Sequence, residues 1–477
     1  MRKLWSLLSV GLLAVTPLAA GAETIADALS SAYRNSQLLE KNQAVLRAAD
    51  EDVAQAVGEL LPVLSWEATI GVQGTYSPGA RSDFLGNSIP HQSDFAGSDT
   101  LSLIASMPLF DFGRGQLNIE LKAALVNAAR YSLISVEQEV LFDAAAAYVD
   151  VWLQIQLVAA QEANVRLLTQ DLRAANDRFD VGEITRTDVA LTEAQLASAN
   201  AALAAAQGNL NVARENYKAK VGHYPNKLKP LPKPPKTADT LAGAQAIAVK
   251  SHPAILQAQY LAKAADIAVA AARAEMLPNV NGEASVSQTF AGDNGGELFS
   301  GGTSSVISER LGLTMRQTLY AGGRLSSRLR QQIALSQQAH ADLLQTVINV
   351  KEAAGKAWSN IQVARASMVA GDEQVRAAQA ALDGVRQEAQ LGSRTVLDVL
   401  NAEQDLLNAR SQRLQSEADL YLGRLQLLSS MGLLTVDHLN LGIPTFDPDA
   451  YLNAVKTAPA TTARGEKLDR ILKTLGK

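Results

Sequence analysis

Val181-Gly182-Glu183-Ile184-Thr185-Arg186-Thr187-Asp188-Val189 returns 210 residues later as Leu391-Gly392-Ser393-Arg394-Thr395-Val396-Leu397-Asp398-Val399. An apolar residue with glycine, then a threonine, then an Asp-Val pair keep their places. Glycine ends a helix readily because it enters the left-handed region without a Cβ penalty. A threonine with an acid three residues on has the spacing of a capping box and so starts the next helix. Each stretch therefore reads as a helix, a tight turn and a helix. Leu109-Phe110-Asp111-Phe112-Gly113-Arg114 likewise returns as Leu319-Tyr320-Ala321-Gly322-Gly323-Arg324, again 210 residues on, whereas Leu61-Pro62 returns as Leu277-Pro278 at 216. The six-residue change of register falls between these points, in a stretch that behaves as a loop. The chain is written twice, and a repeat of this kind governs the whole fold.

The sequence predicts a leader over residues 1–22, repeat 1 over 23–222, a connector over 223–240, repeat 2 over 241–441 and a tail over 442–477. Repeat 1 reads as a helix over about 24–60, a β-hairpin over about 62–109, a long helix over 113–181 and a helix over 184–220. Repeat 2 reads as a helix, a hairpin over about 278–319, a long helix over 323–391 and a helix over 394–431. The strands follow from period two: Trp66, Ala68, Ile70 and Val72 alternate with Glu67, Thr69, Gly71 and Gln73, and three further segments around Leu103, Val286 and Leu311 alternate in the same way. Gly, Ser, Asp and Asn rich stretches at 77–98 and 291–305 read as the hairpin loops. The helices after the turns carry period seven. Val189, Leu196, Leu203, Leu210 and Tyr217 form a large series, and Thr192, Ala199, Ala206 and Ala213 a small one. Val399, Leu406, Leu420 and Leu427, interrupted by Arg413, repeat the first; Ala402, Ala409, Ser416, Gly423 and Ser430 repeat the second. Sustained heptads specify coiled-coil packing, and small residues at alternate core positions bring helices close. Between the copies, residues 225–236 hold five prolines and four lysines, which forbid helix and give an extended connector.

At 477 residues the chain exceeds what one compact core accommodates. With 43 basic and 48 acidic residues mixed along it, net charge −5, it lacks the basic footprint of a nucleic-acid binder. There is no cysteine, which removes disulfides, thiolate metal sites and cysteine nucleophiles together. Arg2 and Lys3, an apolar run from Leu4 to Leu18 and the small residues Ala20, Gly21 and Ala22 read as a secretory signal cleaved before Glu23. Its apolar run falls short of the ~20 residues of a spanning helix. The most apolar later segment, residues 140–160, contains Asp143 and Asp150, so the sequence predicts no transmembrane helix. Five scattered histidines form no His-x-x-x-His pair, and neither a nucleophile elbow nor a phosphate loop occurs; no cofactor is expected. Asp293-Asn294-Gly295-Gly296-Glu297 imitates a calcium loop but lacks its alternating ligands. The tail shows helical character only over 465–475.

Each long helix amounts to a rod of about 100 Å. Four strands with one apolar face cannot hide their edges in lipid, because an open sheet there leaves backbone groups unpaired. Oligomerisation must close the barrel. Two chains give eight strands, whose interior side chains fill, whereas three give twelve and leave a bore. The fold class expected is α plus transmembrane β: a trimeric twelve-stranded barrel, four strands per chain, continued by a coiled-coil α-helical barrel.

The doubled turn motif, the Leu-Phe-Asp-Phe-Gly and Leu-Tyr-Ala-Gly-Gly strand ends, the Leu-Pro strand starts and the duplication resemble the TolC family of outer-membrane efflux proteins over residues 24–440. The resemblance implies a homotrimeric channel-tunnel in the outer membrane of a Gram-negative bacterium, with a periplasmic helical extension. It further implies passive exit of drugs or secreted proteins, in tripartite efflux or type I secretion, handed over by a periplasmic adaptor and an inner-membrane pump of the RND or ABC type. Substrate choice then belongs to the pump. It places Val181, Gly182, Thr185, Leu391, Gly392 and Thr395 at the periplasmic tip, where the adaptor docks. Asp398 becomes an acidic ring at the constriction, weakened because the second acid of many relatives is Asn401 here. Arg394 becomes a gating arginine directed to Thr187 or Asp188, in a lock that is incomplete because Ala389 stands where relatives carry tyrosine. Beside these roles stand simpler ones: helix stops for the glycines, caps for the Thr-Asp pairs and a solvated tip charge for Arg394. A periplasmic coiled-coil adaptor or scaffold that never enters a membrane is the rival reading, against which the four amphipathic strands speak.

Overall fold

The computed structural model describes residues 22–76, 81–82, 84–85, 88–89, 93–233, 235–292, 304–457, 466–467 and 470. The expected leader, apart from residue 22, the stretch 293–297 and most of the helix expected at 465–475 lie outside the described residues.

Each copy begins with two helices where the sequence predicts one. Helix α1 (Ile25–Asn35) and α2 (Gln37–Gly58) part at Ser36; α5 (Leu241–Ser251) and α6 (Pro253–Ala274) part at His252, 216 residues on. The second break has an evident cause: the residue before proline is pushed out of the helical region, and His252 adopts φ −68°, ψ 123°. Ser36 adopts nearly the same angles, φ −71°, ψ 109°, and its Oγ accepts from the Leu39 N–H at 3.2 Å, starting α2 as a cap. Both breaks rest on the end of a later helix. Asn35 Nδ2 donates to the Val221 carbonyl at 3.1 Å, ending α4 (Arg186–Val221), and Ser251 Oγ donates to the Met431 carbonyl at 2.8 Å, just past α8 (Val396–Ser430).

The long helices α3 (Arg114–Asp180) and α7 (Arg324–Gln390) have 67 residues each. Both follow a pair of left-handed residues, Phe112 (φ 54°) with Gly113 (φ 79°) and Gly322 (φ 59°) with Gly323 (φ 83°). Phe112 holds a conformation that costs a side chain dearly; its ring meets Phe110 edge to face at 4.6 Å, and Asp111 accepts from the N–H groups of Gly113 and Gly115. One window of α3 has a mean hydropathy of 1.2, long and apolar enough to cross a membrane, yet half of it is buried inside the protein, as the core face of a packed helix is.

The heptads are realised as burial. In α4, Val189, Thr192, Ala199, Leu210, Ala213 and Tyr217 are buried; in α8, Leu406, Ala409, Ser416, Leu427 and Ser430. Arg413, the interruption, is half-buried and pairs with Asp372 and Glu417 at 2.7 and 3.0 Å. Buried residues of α7 follow the same seam at spacings of four and three: Val350, Ala354, Ala357, Ile361 and Ala364.

Strands β1 (Val63–Tyr76), β4 (Ser93–Phe110), β5 (Asn279–Gly292) and β6 (Ser304–Arg316) form one antiparallel sheet in the order β1-β4-β5-β6, so the two hairpins join through β4 and β5. Within the first connection β2 (Arg81–Ser82) and β3 (Ser88–Ile89) add a small ribbon. The register brings apolar positions of the main strands together: Leu64, Ala105, Ala284 and Leu311 lie in one row, and Trp66, Leu103 and Val286 in the next, where β6 contributes Glu309. Glu67, Ser102, Ser287 and Ser308 form a row on the other face, beside Thr100 and Thr289, whose hydroxyls are 3.1 Å apart. Among the described residues the apolar face is left exposed: Trp66 is 70% and Leu311 88% exposed. The ladder shifts between Pro108 and Phe110, where proline offers no N–H.

The tail differs from expectation. Helix α9 (Pro448–Val455) forms where no helix is predicted, with Asp447 as cap and proline in the first turn. Arg130 holds Asp449 at 2.7 Å, and the Tyr451 hydroxyl donates to Glu51 at 2.6 Å.

Compact packing divides the chain in two. One unit comprises Met1–Asn42, Leu133–Pro253 and Val347–Thr445; the other, with the sheet and α9, comprises Gln43–Ser132, Ala254–Thr346 and Phe446–Lys477.

Candidate functional site: the paired helix turns

Both turns are built alike and belong to the first unit. Gly182 (φ 80°) and Gly392 (φ 78°) follow α3 and α7. Gly182 N–H donates to the Phe179 carbonyl and Glu183 N–H to that of Arg178; Gly392 and Ser393 repeat this on Ala389 and Glu388. These paired bonds close the last carbonyls in a Schellman arrangement. Thr185 and Thr395 then cap α4 and α8 with complete boxes. The Asp188 and Asp398 N–H groups donate to the threonine hydroxyl oxygens at 3.3 and 3.2 Å, and each carboxylate accepts from the threonine N–H at 3.0 Å. The caps expected from spacing are present at both sites.

Beyond the shared frame the turns differ in charge. Arg178 Nε donates to Glu183 across the first turn at 3.1 Å, whereas Arg394 Nε donates to Glu388 across the second at 2.7 Å. Arg394 thus finds its carboxylate on the helix it follows, while Thr187 and Asp188 lie on the other turn. Hydrogen bonds from the Thr395 backbone and hydroxyl, with the Arg394 charge adding, hold the Asp398 carboxyl below the usual range. Asn401 is exposed one turn further along α8. Val181 and Leu391, 72% and 85% exposed, present bare apolar side chains at the turns.

A second charged group escapes sequence reading. Asp171 on α3, Arg386 on α7 and Glu403 on α8 meet above the turns, with Arg386 Nη2 donating to Glu403 Oε1 at 2.6 Å. Glu403 is 4% exposed. Burial first, then the neighbouring Asp171, pushes its carboxyl up to about 7 against the pull of Arg386. Burial likewise raises Asp171. The signal in sequence was an acid inside the buried seam of α8, adjacent to Ala402.

A third cluster fixes Glu23 to the connector. Glu23 pairs with Leu228 in a parallel bridge, donating its N–H to the Lys227 carbonyl and accepting from the Lys229 N–H. The Tyr148 hydroxyl donates to the carbonyls of Glu23 and Lys229, and the Tyr217 hydroxyl to the Glu23 carboxylate. Burial pushes Tyr148 up to about 12 and raises Tyr217 as well, so both remain donors. Among the described residues no cluster of His, Cys, Asp and Glu suited to a metal occurs.

Comparisons with known proteins accord with this geometry. The profile of the outer membrane efflux protein family matches residues 28–223 and 246–433, one segment in each copy. The chain is 35% identical to the outer membrane efflux protein BepC of Brucella suis over 444 residues, 93% of this chain and 92% of that one. It is 26% identical to the outer membrane protein TolC of Escherichia coli over 456 residues, 91% of this chain and 88% of that one. Among solved structures, the CmeC outer membrane channel of Campylobacter jejuni superposes with a TM-score of 0.72 at 14% identity, covering 91% of this chain and 89% of that one, which shows the fold. These matches do not favour the adaptor reading. A duplicated chain with one amphipathic four-stranded sheet, paired capped helix turns and a family profile spanning both copies belongs to the outer membrane efflux protein family, as an outer-membrane channel of an efflux system.

Proposed function

We propose that three copies close a twelve-stranded barrel whose bore continues through the helices, and that the paired turns form its periplasmic mouth. The observation that carries this reading is the sheet itself: among the described residues β1 and β6 are the edges of a strip with one exposed apolar face, and open edges are intolerable in lipid until other strands meet them. Asp398 forms an acidic ring at the mouth, beside Asn401. Arg394 governs opening, exchanging Glu388 for Thr187 or Asp188 of a neighbouring helix pair. Val181, Gly182, Thr185, Leu391, Gly392 and Thr395 receive a periplasmic adaptor, the exposed apolar side chains at 181 and 391 giving it purchase. An inner-membrane pump of the RND or ABC type supplies drugs or secreted proteins. Residues 1–22 direct export and are removed before Glu23. Purified protein is expected to run as a heat-sensitive trimer and to conduct ions in planar lipid films; a stable monomer in detergent, or silent films, overturns the assembly. Arg394→Ser is expected to raise single-channel conductance, and an unchanged value removes the gating role.

A further inference from the structure

The buried Glu403 and the half-buried Asp171 share one arginine, and their charges do not balance. Asp171 Oδ2 and Glu403 Oε2 are sealed from solvent, and neither has a donor within reach. An ionised carboxylate only accepts hydrogen bonds, so two facing carboxylates repel, whereas one proton between them supplies the missing donor to both. The two side chains do lie within hydrogen-bonding reach of each other. Arg386, the single cation, already spends its Nη2 on Glu403 Oε1. We propose that Asp171, Arg386 and Glu403 form a proton-operated latch that ties α3 to α7 and α8 above the turns, closed while the carboxyls share a proton and loosened when it leaves to solvent.

The charge count supports this. With the proton shared, the group carries one negative and one positive charge and is neutral. Without it, a net negative charge is left in an apolar seam, which is costly. The surroundings offer no relief. Asp171 from α3 and Arg386 from α7 are the charged groups that act on Glu403. From α4 this level receives Ala199, clustered with Leu168 and Leu400, and Gln195, whose amide donates to Gln404. On α8, Arg410 is engaged by Gln379 and Arg413 by Asp372 and Glu417. Glu403 lies eight residues beyond Thr395, about 12 Å along the helix, so the latch holds the segment from which the second turn hangs. The inference takes its functional meaning from the mouth proposed above, but its test reads a distance and does not depend on transport.

The cysteine-free chain permits clean labelling. Spin labels at the exposed positions Ala174→Cys on α3 and Asn408→Cys on α8, in full-length protein diluted with unlabelled chains, report the spacing of the helices. The distance distribution is expected to be narrow in mild acid and broad in mild alkali, with a midpoint near 7, where Glu403 titrates. Glu403→Gln, which mimics the protonated acid, is expected to remain narrow throughout. Asp171→Asn, removing the repelling charge, is expected to move the midpoint down by about one pH unit or more. A wild-type distribution that ignores pH, a Glu403→Gln variant that responds like wild type, or an Asp171→Asn variant with an unmoved midpoint each overturns the latch. Conductance in planar films tells the two ideas apart: a conducting protein without the distance change refutes the latch alone.

Discussion

Gly392 and Gly432 both sit at positive φ, yet they answer to different constraints. Around Gly392 an added Cβ meets open space, so alanine there suffers only the left-handed backbone, about 1–2 kcal/mol. At Gly432 it would stand 2.7 Å from His252 Cα and 2.7 Å from the Ser251 carbonyl oxygen. Gly432→Ala is therefore expected to lower thermal stability far more than Gly392→Ala; equal losses in melting experiments contradict the packing described. Thr185→Ala removes one cap of α4 at about 1 kcal/mol, so amides of its first turn should exchange about fivefold faster while those near Tyr217 do not change. The pH dependence of Asp398 has the opposite sign to that of Glu403. Its depressed acid strengthens the folded turn above the ordinary carboxylate range, and that contribution is lost only as pH falls through the lowered value. If Asp398 lines the proposed mouth, block of single-channel current by a divalent cation is expected to survive acidification that protonates a free aspartate. Sequence spacing revealed these caps because capping is local, satisfied within four residues. It did not reveal Glu403, whose character comes from burial, then from Asp171 and Arg386, 232 and 17 positions away.

At the scale of elements, the connector is held by hydroxyls rather than by a core. Tyr148 shares its single hydroxyl hydrogen between two carbonyls, of Glu23 and Lys229, from a fully buried position. Tyr148→Phe leaves both without that donor, at a cost of about 1–3 kcal/mol. Trypsin should then nick the lysine-rich residues 227–236 faster than in the parent; an unaltered digestion rate means the tyrosine is not the fastening. The long helices, heptads and strands were legible because each carries a period over many residues. The split of the first helix is absent from the sequence reading of both copies: Pro253 carries a local signal for the break at His252, whereas Ser36 produces the same break with an ordinary hydroxyl and the support of Asn35 on Val221. Helix α9 was missed because eight residues are too few to show a period, and its position depends on Arg130 and Glu51 far along the chain.

At the scale of the whole molecule, the two faces of the sheet should respond oppositely to charge. If the exposed apolar row faces lipid, Leu311→Arg is expected to cost up to about 2–4 kcal/mol of insertion and to reduce the protein recovered from outer membranes. Ser287→Arg, on the polar row, should leave recovery intact and alter conductance. Equal losses from both mean that the rows have been assigned to the wrong sides.

The six-residue difference between the copies falls in the strand connections, where the first hairpin carries the β2–β3 ribbon, whereas from Phe112 and Gly322 onward the copies keep step. If three copies assemble as proposed, the assembly holds two unlike strand connections, three of each, but six nearly equivalent helix turns. A partner with six matching arms could engage all the turns alike, whereas one that reads the strand connections would meet only three equal places.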